Sequence, residues 1–252
     1  MSVLVVENLS KSFGGVHAVR DVSFAIGAGE LLALIGPNGA GKSTCFNMAG
    51  GQLRPDAGRV RFEDKDITGR RPREIWRLGV GRTFQITATF GSMTVAENVQ
   101  MALISHAGHL YDVRGTARAF ARDRALELLA QVGMADQADR ACGELAYGDV
   151  KRLELAVALA HGPRLLLMDE PTAGMAPKER VGLMALTAAI ARKQRLAVLF
   201  TEHDMDVVFA HADRIIVLNR GQLIAEGAPS AVRADARVRE VYLGAGTTSG
   251  GH

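Results

Sequence analysis

Residues 36–44 read Gly36-Pro37-Asn38-Gly39-Ala40-Gly41-Lys42-Ser43-Thr44, and this stretch decides the fold. It fits the pattern G-x-x-x-x-G-K-[ST]. A short apolar run, 31–35, leads into it, and a helical pattern from 42 to about 49 leads out. Strand, glycine-rich loop and helix in that order form a cradle for phosphates. The glycines let the backbone curl so that successive N–H groups face an anion, and the helix start adds the positive end of its dipole. In this reading all nine residues, Gly36 through Thr44, bind a nucleotide. Lys42 reaches the β- and γ-phosphates, and the Ser43 hydroxyl ligates Mg²⁺.

A second element must hold the metal. The run Leu165-Leu166-Leu167-Met168-Asp169-Glu170 is an apolar strand ending in two carboxylates. Asp169 at the strand tip is placed to bind Mg²⁺ directly or through water. Glu170 follows it and is expected to point the other way along the strand, where it polarises an attacking water. Without a phosphate loop in the chain, the pair would read as solvated acids at a strand end.

Further out, continuous apolar runs recur at 31–35, 165–168, 196–200 and 215–218. Runs that do not alternate suit strands buried on both faces of a parallel sheet. Helical periodicity follows several of them, as at 177–192, which argues for an α/β core. Residues 3–30 differ. They alternate apolar and polar side chains around Gly14-Gly15 and predict an antiparallel hairpin region added to the edge of the core. Residues 86–160 carry almost no strand signal. Helical patterns at 94–105, 116–132 and 149–161 predict a helical subdomain inserted between two parts of one sheet, 1–85 and 161–243. The stretch 228–243 reads as one amphipathic helix that packs on the core through Val232, Val238, Val241, Tyr242 and Leu243. The Gly/Ser/Thr-rich tail, 244–252, reads as disordered.

Composition sets the outer bounds. The chain has 252 residues, 48% of them hydrophobic and 23% charged, which excludes a disordered or collagen-like chain. Two cysteines, Cys45 and Cys142, are too few for a disulfide framework and point to a reducing compartment. None of the histidines forms a metal constellation with them. No apolar run approaches the roughly 20 residues of a membrane helix, and a secretory leader is missing, so a cytoplasmic protein is expected. Thirty basic residues face 27 acidic ones, with both signs interspersed, so no nucleic-acid partner is expected. The densest basic run, Arg70, Arg71, Arg73 and Arg77, reads as a solvated helix face.

With these segments in place the whole ordered chain, 1–243, resembles the ATP-binding subunit of ABC transporters. Five further positions follow that family's order. Phe13, in Lys11-Ser12-Phe13-Gly14-Gly15, is similar to the aromatic that stacks on adenine. Gln85, in Arg82-Thr83-Phe84-Gln85, is similar to the glutamine that touches metal and water and opens the helical subdomain. Leu145-Ala146-Tyr147-Gly148-Asp149 sits where the signature sequence belongs. Ala173-Gly174-Met175-Ala176-Pro177 sits where a loop crosses to the partner ATPase. His203 is similar to the histidine that contacts the γ-phosphate. Taken singly, Phe13 reads as a core aromatic and His203 as a satisfied or solvated histidine; order and spacing carry the assignment. The segments 81–85, 94–99, 145–148, 152–156, 169–175 and 226–244 narrow the resemblance to the longer ATPase of branched-chain amino acid importers, a subgroup that includes urea and short-amide importers.

The resemblance implies an α/β fold with a P-loop NTPase core and mainly parallel sheet, and ATP with Mg²⁺ as cofactors. It implies Lys42, Gln85, Glu170 and His203 as the catalytic set, with Ser43, Gln85 and Asp169 on the metal. The partners it implies are a second ATPase subunit (a heterodimer, or a homodimer in isolation), two integral membrane permease subunits and, indirectly, a periplasmic solute-binding protein. The chain would then sit on the cytoplasmic face of the membrane. Rival soluble relatives fit less well: repair ATPases carry a long coiled coil, translation ATPases carry two units per chain, and no Asn-Lys-x-Asp segment marks a GTPase. Two positions depart from the family. The signature's serine is Ala146 here, and the crossing loop's acid is Ala176. Either the site opposite this chain's own is slower, or Tyr147, Gly148 and the helix start suffice. Lys151 and Arg152, just after the signature, read as an exposed basic turn or as a source of phosphate attraction at a closed interface.

Overall fold

The computed structural model describes residues 2–83, 89–107 and 121–243. The first half of the chain contains β1 (Ser2–Phe13), β2 (Val16–Gly27), β3 (Leu31–Ile35), α1 (Lys42–Ala49), β4 (Ala57–Phe62), β5 (Lys65–Asp66), α2 (Pro72–Arg77) and β6 (Val80–Thr83). Three helices follow: α3 (Val95–Ala107), α4 (Arg122–Gln131) and α5 (Tyr147–Leu159). The last part contains β7 (Leu165–Asp169), α6 (Pro177–Gln194), β8 (Ala197–Thr201), α7 (Met205–His211), β9 (Arg214–Asn219), β10 (Gln222–Gly227), α8 (Pro229–Ala234) and α9 (Ala236–Leu243).

Six strands form one sheet in the order β10-β9-β3-β8-β7-β6. Its pairings are parallel except for the antiparallel β9–β10 edge. The continuous apolar runs are explained by where successive side chains go. Leu31, Ala33 and Ile35 join Leu166, Met168, Val198 and Phe200 in a core shared with α3 to α9. Leu32 and Leu34 join Leu165, Leu167, Ala197 and Leu199 in a second core, with α1 and strands β1, β2 and β4. A strand whose side chains alternate between two dry layers must be apolar at every position.

The 3–30 hairpin forms as expected, with Gly14 and Gly15 at its turn, both at positive φ. Its position differs from the expectation. It belongs to a separate antiparallel sheet, β2-β1-β4-β5, that covers one face of the parallel sheet instead of extending its edge. The alternation gives β1 and β2 a single apolar face, and two strands alone bury too little of it. β4 widens that face, pairing Val60 with Val6 and Phe62 with Leu4. The 228–243 stretch also differs, because two helices replace one. The Asp235 carboxylate accepts the Arg237 amide (2.8 Å) and starts α9 afresh. Val232 and Val238 are buried and Tyr242 packs against the same core. The expected tail and part of the 116–132 helix lie outside the described residues. No described helix is long and apolar enough to cross a membrane.

Where α2, α3 and α5 converge, three rings meet. Trp76 and His106 are edge to face with centroids 5.4 Å apart, and His161 lies 5.0 Å from Trp76. These helices bound a cavity of about 740 Å³ whose lining includes Trp76, Arg73, Arg77, Arg82 and His161. The four arginines of the basic run are all exposed, as expected of a solvated face. Burial, reinforced by the neighbouring His106, pushes the His161 imidazole from the usual 6.5 down to about 4. The folded chain therefore holds His161 neutral where the unfolded chain protonates it. That stability is complete above about pH 6.5 and is lost as pH falls toward 4. Discounted for partial exposure, the loss from pH 7.5 to 5 is about 1–2 kcal/mol. Denaturant unfolding at the two pH values should show this drop in the parent and a correspondingly smaller one in His161→Gln.

Candidate functional site

The carboxyl end of β3 is the centre of the site. β3 lies between β8 and β9, so the loop that leaves it emerges where chain connections diverge to either side, the usual ligand crevice of such sheets. Two glycines shape the loop. A Cβ on Gly36 would lie 2.2 Å from the Leu218 carbonyl oxygen, and one on Gly41 would lie 2.3 Å from that of Ala18. Both also have positive φ, 151° and 99°. The loop is thus held between the end of β9 and the β1–β2 hairpin by contacts that admit no side chain. The Ala40 carbonyl accepts the Gly221 amide (2.9 Å), and the Gly221 carbonyl accepts the Arg20 amide (2.7 Å). Helix α1 starts at Lys42 with no side-chain cap, so its first amides look for an acceptor outside the helix.

Lys42 is buried, and its ammonium donates to the carbonyls of Gly36 (2.6 Å) and Pro37 (3.1 Å). Burial lowers its pKa, against the opposing pull of Glu170 and Asp169. Both acids are thus near enough to act electrostatically on the loop's lysine. Asp169 ends β7, accepts the Thr201 hydroxyl (2.7 Å) and lies 3.9 Å from the Arg82 guanidinium. Glu170 does not continue the strand's alternation, as the sequence reading expected. β7 ends at Asp169, and Glu170 turns to φ 48°, its amide donating to the Thr201 carbonyl (3.2 Å) and hydroxyl (3.1 Å). That turn directs its carboxylate to His203, whose Nε2 lies 2.8 Å from Oε1. A non-glycine residue in the left-handed region is uncommon, and Glu170 is one of those that adopt it in this chain.

The other expected residues fall as follows. Ser43 is exposed at the start of α1, and Thr44 is half-buried. Phe13 ends β1 and is 49% exposed, with the Lys11 ammonium 5.7 Å from its ring centroid, so it is free to take a planar ligand and is not a core aromatic. Gln85 lies outside the described residues. Leu145 is partly buried, and Ala146 is the exposed N-cap of α5 with no side-chain cap. The Tyr147 hydroxyl donates to the Ala173 carbonyl (3.0 Å), and its ring lies against Gly174. Gly148 packs on Glu179, and Asp149 accepts from the Gln137 amide (3.3 Å). The 145–149 and 173–176 segments thus touch within one chain. Lys151 is not an exposed basic residue: it is buried against Glu154 (2.9 Å; side chains 5% and 8% exposed), which removes it as a free source of phosphate attraction. Thr201, Arg82, Glu202 and Arg180 were missed from the sequence. The only signal was polar residues placed directly after an apolar strand, at Thr201 and Glu202.

The donor set suits a magnesium ion bound with a nucleotide. Asp169 and the Ser43 hydroxyl are hard oxygen ligands, and no cluster of three or more His, Cys, Asp or Glu suited to a metal occurs among the described residues. Mg²⁺ takes one or two protein oxygens and completes its shell with phosphates and water, whereas a structural metal needs its own cage.

Comparison with known proteins agrees with this geometry. Residues 19–173 match the ABC transporter family, and 222–247 match the branched-chain amino acid ATP-binding cassette transporter family. The chain is 38% identical over 249 residues to the high-affinity branched-chain amino acid transport ATP-binding protein LivG of Salmonella typhimurium, spanning 96% of this chain and 98% of that one. Its fold superposes on the ADP conformation of MJ1267, an ATP-binding cassette of an ABC transporter, with a TM-score of 0.86 at 34% identity, covering 97% of this chain and 99% of that one. It also matches the dimeric post-hydrolysis state of the ATP-binding cassette MJ0796 bound to ADP and Pi, at TM-score 0.74 and 27% identity over 90% and 98% of the two chains. The chain belongs to the ABC transporter family, as one of its ATP-binding, ATP-hydrolysing cassettes.

Proposed function

We propose that this chain is the cassette that drives import of branched-chain amino acids, with Glu170 and His203 serving ATP bound on residues 36–44. The contact between Glu170 and His203, beside Lys42 and Asp169, carries this reading. Phe13 stacks on adenine, and the amides of the loop and of α1 take the phosphates. The Lys42 ammonium leaves the Gly36 and Pro37 carbonyls for the β- and γ-phosphates. Ser43, Asp169 and Gln85 would hold Mg²⁺, which would supply positive charge against the phosphates. Glu170 orients a water and takes its proton as the water oxygen bonds to the γ-phosphorus, and ADP leaves. His203 Nε2 fixes the carboxylate and faces the γ-phosphoryl group.

Residues 1–85 and 161–243 act as the core, and 86–160 as the helical subdomain carrying the signature, Leu145 to Asp149. In a pair of cassettes this signature covers the partner's ATP, where the α5 N-terminus supplies amides and dipole. The dimeric state of MJ0796 supports pairing, and the identity to LivG supports the substrate class; the second cassette is a different subunit, or a second copy of this chain in isolation. Closure on ATP then moves two membrane permease subunits, fed by a periplasmic solute-binding protein, from the cytoplasmic face of the membrane. Ala146 removes one charge-assisted donor from the partner's site, a loss of about 1.5–3 kcal/mol.

Lys42→Ala should abolish binding of a fluorescent ATP analogue. Glu170→Gln should keep binding and lose about 10²- to 10⁴-fold in hydrolysis rate; an unchanged rate would remove Glu170 as the base. Ala146→Ser should raise the ATPase rate of the mixed complex by about 10- to 100-fold at the limiting site, with no such gain when the chain is assayed alone.

A further inference from the structure

His203 is flanked by two carboxylates, and each is tied to the same loop. Glu202 is 4% exposed. Its Oε1 accepts the Thr172 amide (2.9 Å) and the Thr172 hydroxyl (2.6 Å), and its Oε2 accepts the His203 amide (3.2 Å). On the other side, Asp204 divides its two oxygens. Oδ1 caps α7 by accepting the amides of Asp206 and Val207, while Oδ2 accepts Nη1 of Arg180 (2.9 Å). Nε of the same guanidinium donates to the Met175 carbonyl (2.7 Å). Residues 171–176 are therefore joined to the His203 segment at both ends, at Thr172 through Glu202 and at Met175 through Arg180.

This arrangement is more than two loops in contact would require. A buried carboxylate is costly to desolvate unless its oxygens are filled, and both Glu202 oxygens are filled by groups of the two segments it joins. Arg180 presents two donors in a fixed planar fork, so bonding both segments sets their separation and angle together; a lysine, with one flexible ammonium, cannot. The joined loop begins immediately after Glu170, whose carboxylate is the partner of His203.

We propose that Glu202 and Arg180 are positioning residues that hold His203 at a fixed place relative to residues 171–176, so that the Glu170–His203 pair and the loop directed at a partner cassette move as one body. Engagement of that loop by a partner then reaches the histidine without a contact of its own. The inference rests on the role given to His203 above.

The test uses full-length chain in a preparation whose parent hydrolyses MgATP, and reads kcat, KM for ATP, affinity for a fluorescent ATP analogue, and thermal midpoint. Arg180→Ala should lower kcat by about tenfold, with KM and nucleotide affinity within about twofold of the parent. Arg180→Lys should recover part of the loss. Asp204→Asn keeps the helix cap and weakens the bond to Arg180, so Arg180→Ala/Asp204→Asn should be no slower than the slower single variant. Glu202→Gln, which turns an amide donor toward the His203 N–H or the Thr172 pair, should reproduce the fall in kcat. A parent-like kcat in Arg180→Ala overturns the proposal, as do losses that multiply in the double variant or a fall in kcat matched by falls in affinity and thermal midpoint. His203→Ala separates the two levels. If it is inactive while Arg180→Ala is parent-like, only the clamp fails; if it hydrolyses ATP at the parent rate, the role of His203 fails and the clamp with it.

Discussion

The site depends on a steric constraint: the loop after β3 passes between the Leu218 carbonyl and the Ala18 carbonyl with no room for a Cβ at Gly36 or Gly41. Close backbone approach on both sides fixes the loop's curl before any ligand is present. The bonds from Gly221 to Ala40 and from Arg20 to Gly221 join the same three segments, so the hairpin that carries Phe13 and the loop proposed to take the phosphates are set together. This is preorganisation in the sense that matters for phosphoryl transfer, where the protein contributes mainly position and charge. Lys42 fits the same scheme. Its ammonium is satisfied within the loop by two carbonyls, which offsets the cost of burying it.

Much of this was legible in the sequence because it is local. The phosphate loop is nine consecutive residues, and the strands that bear the acids announce themselves by being apolar at every position. What the sequence did not reveal depends on residues far apart in the chain. The alternation in 3–30 specifies an apolar face, but that the face would lie across the parallel sheet depends on β4, some thirty residues later. Asp169 and Glu170 were visible as a pair of acids. Their different settings, with Asp169 ending β7 and Glu170 turned out of it, depend on Thr201, which bonds both of them and belongs to β8. Lys151 shows the limit from the other direction. Its position after the signature suggested an exposed cation, and only the fold shows Glu154 one helical turn on, closing it into a buried pair.

The His203 segment shows how polar residues can be read once the fold is known. Thr201, Glu202, His203 and Asp204 follow an apolar strand in sequence, and each has a different partner. Thr201 bonds the Asp169 carboxylate and the Glu170 amide, Glu202 binds Thr172, His203 meets Glu170, and Asp204 caps α7 while receiving Arg180. Four successive polar side chains at a strand end would ordinarily be solvated. Here they bond the adjoining strand and its loop, the start of α7 and Arg180 of α6, which places the histidine by constraint from both neighbours.

The two departures from the family pattern share a structural position that bears on how the missing groups act. Ala146 is the N-cap of α5 and Ala176 the N-cap of α6, with nearly the same backbone angles, φ −64° and −65° and ψ 151° in both. Alanine is a poor cap, and each such residue costs a helix roughly 1 kcal/mol relative to serine or aspartate. At Ala176 the Glu179 carboxylate accepts the Ala176 amide (3.1 Å) and recovers part of this. At Ala146 no side chain caps the helix, and the Asp149 and Val150 amides bond to the Ala146 carbonyl (both 3.0 Å). A serine there would divide its hydroxyl between capping its own helix and bonding a phosphate. With alanine, the phosphate of the proposed partner site loses the hydroxyl and meets the start of a helix that no side chain caps. The substitution thus removes a side-chain donor and leaves the helix N-terminus and its dipole as what this segment offers an anion in the proposed partner site.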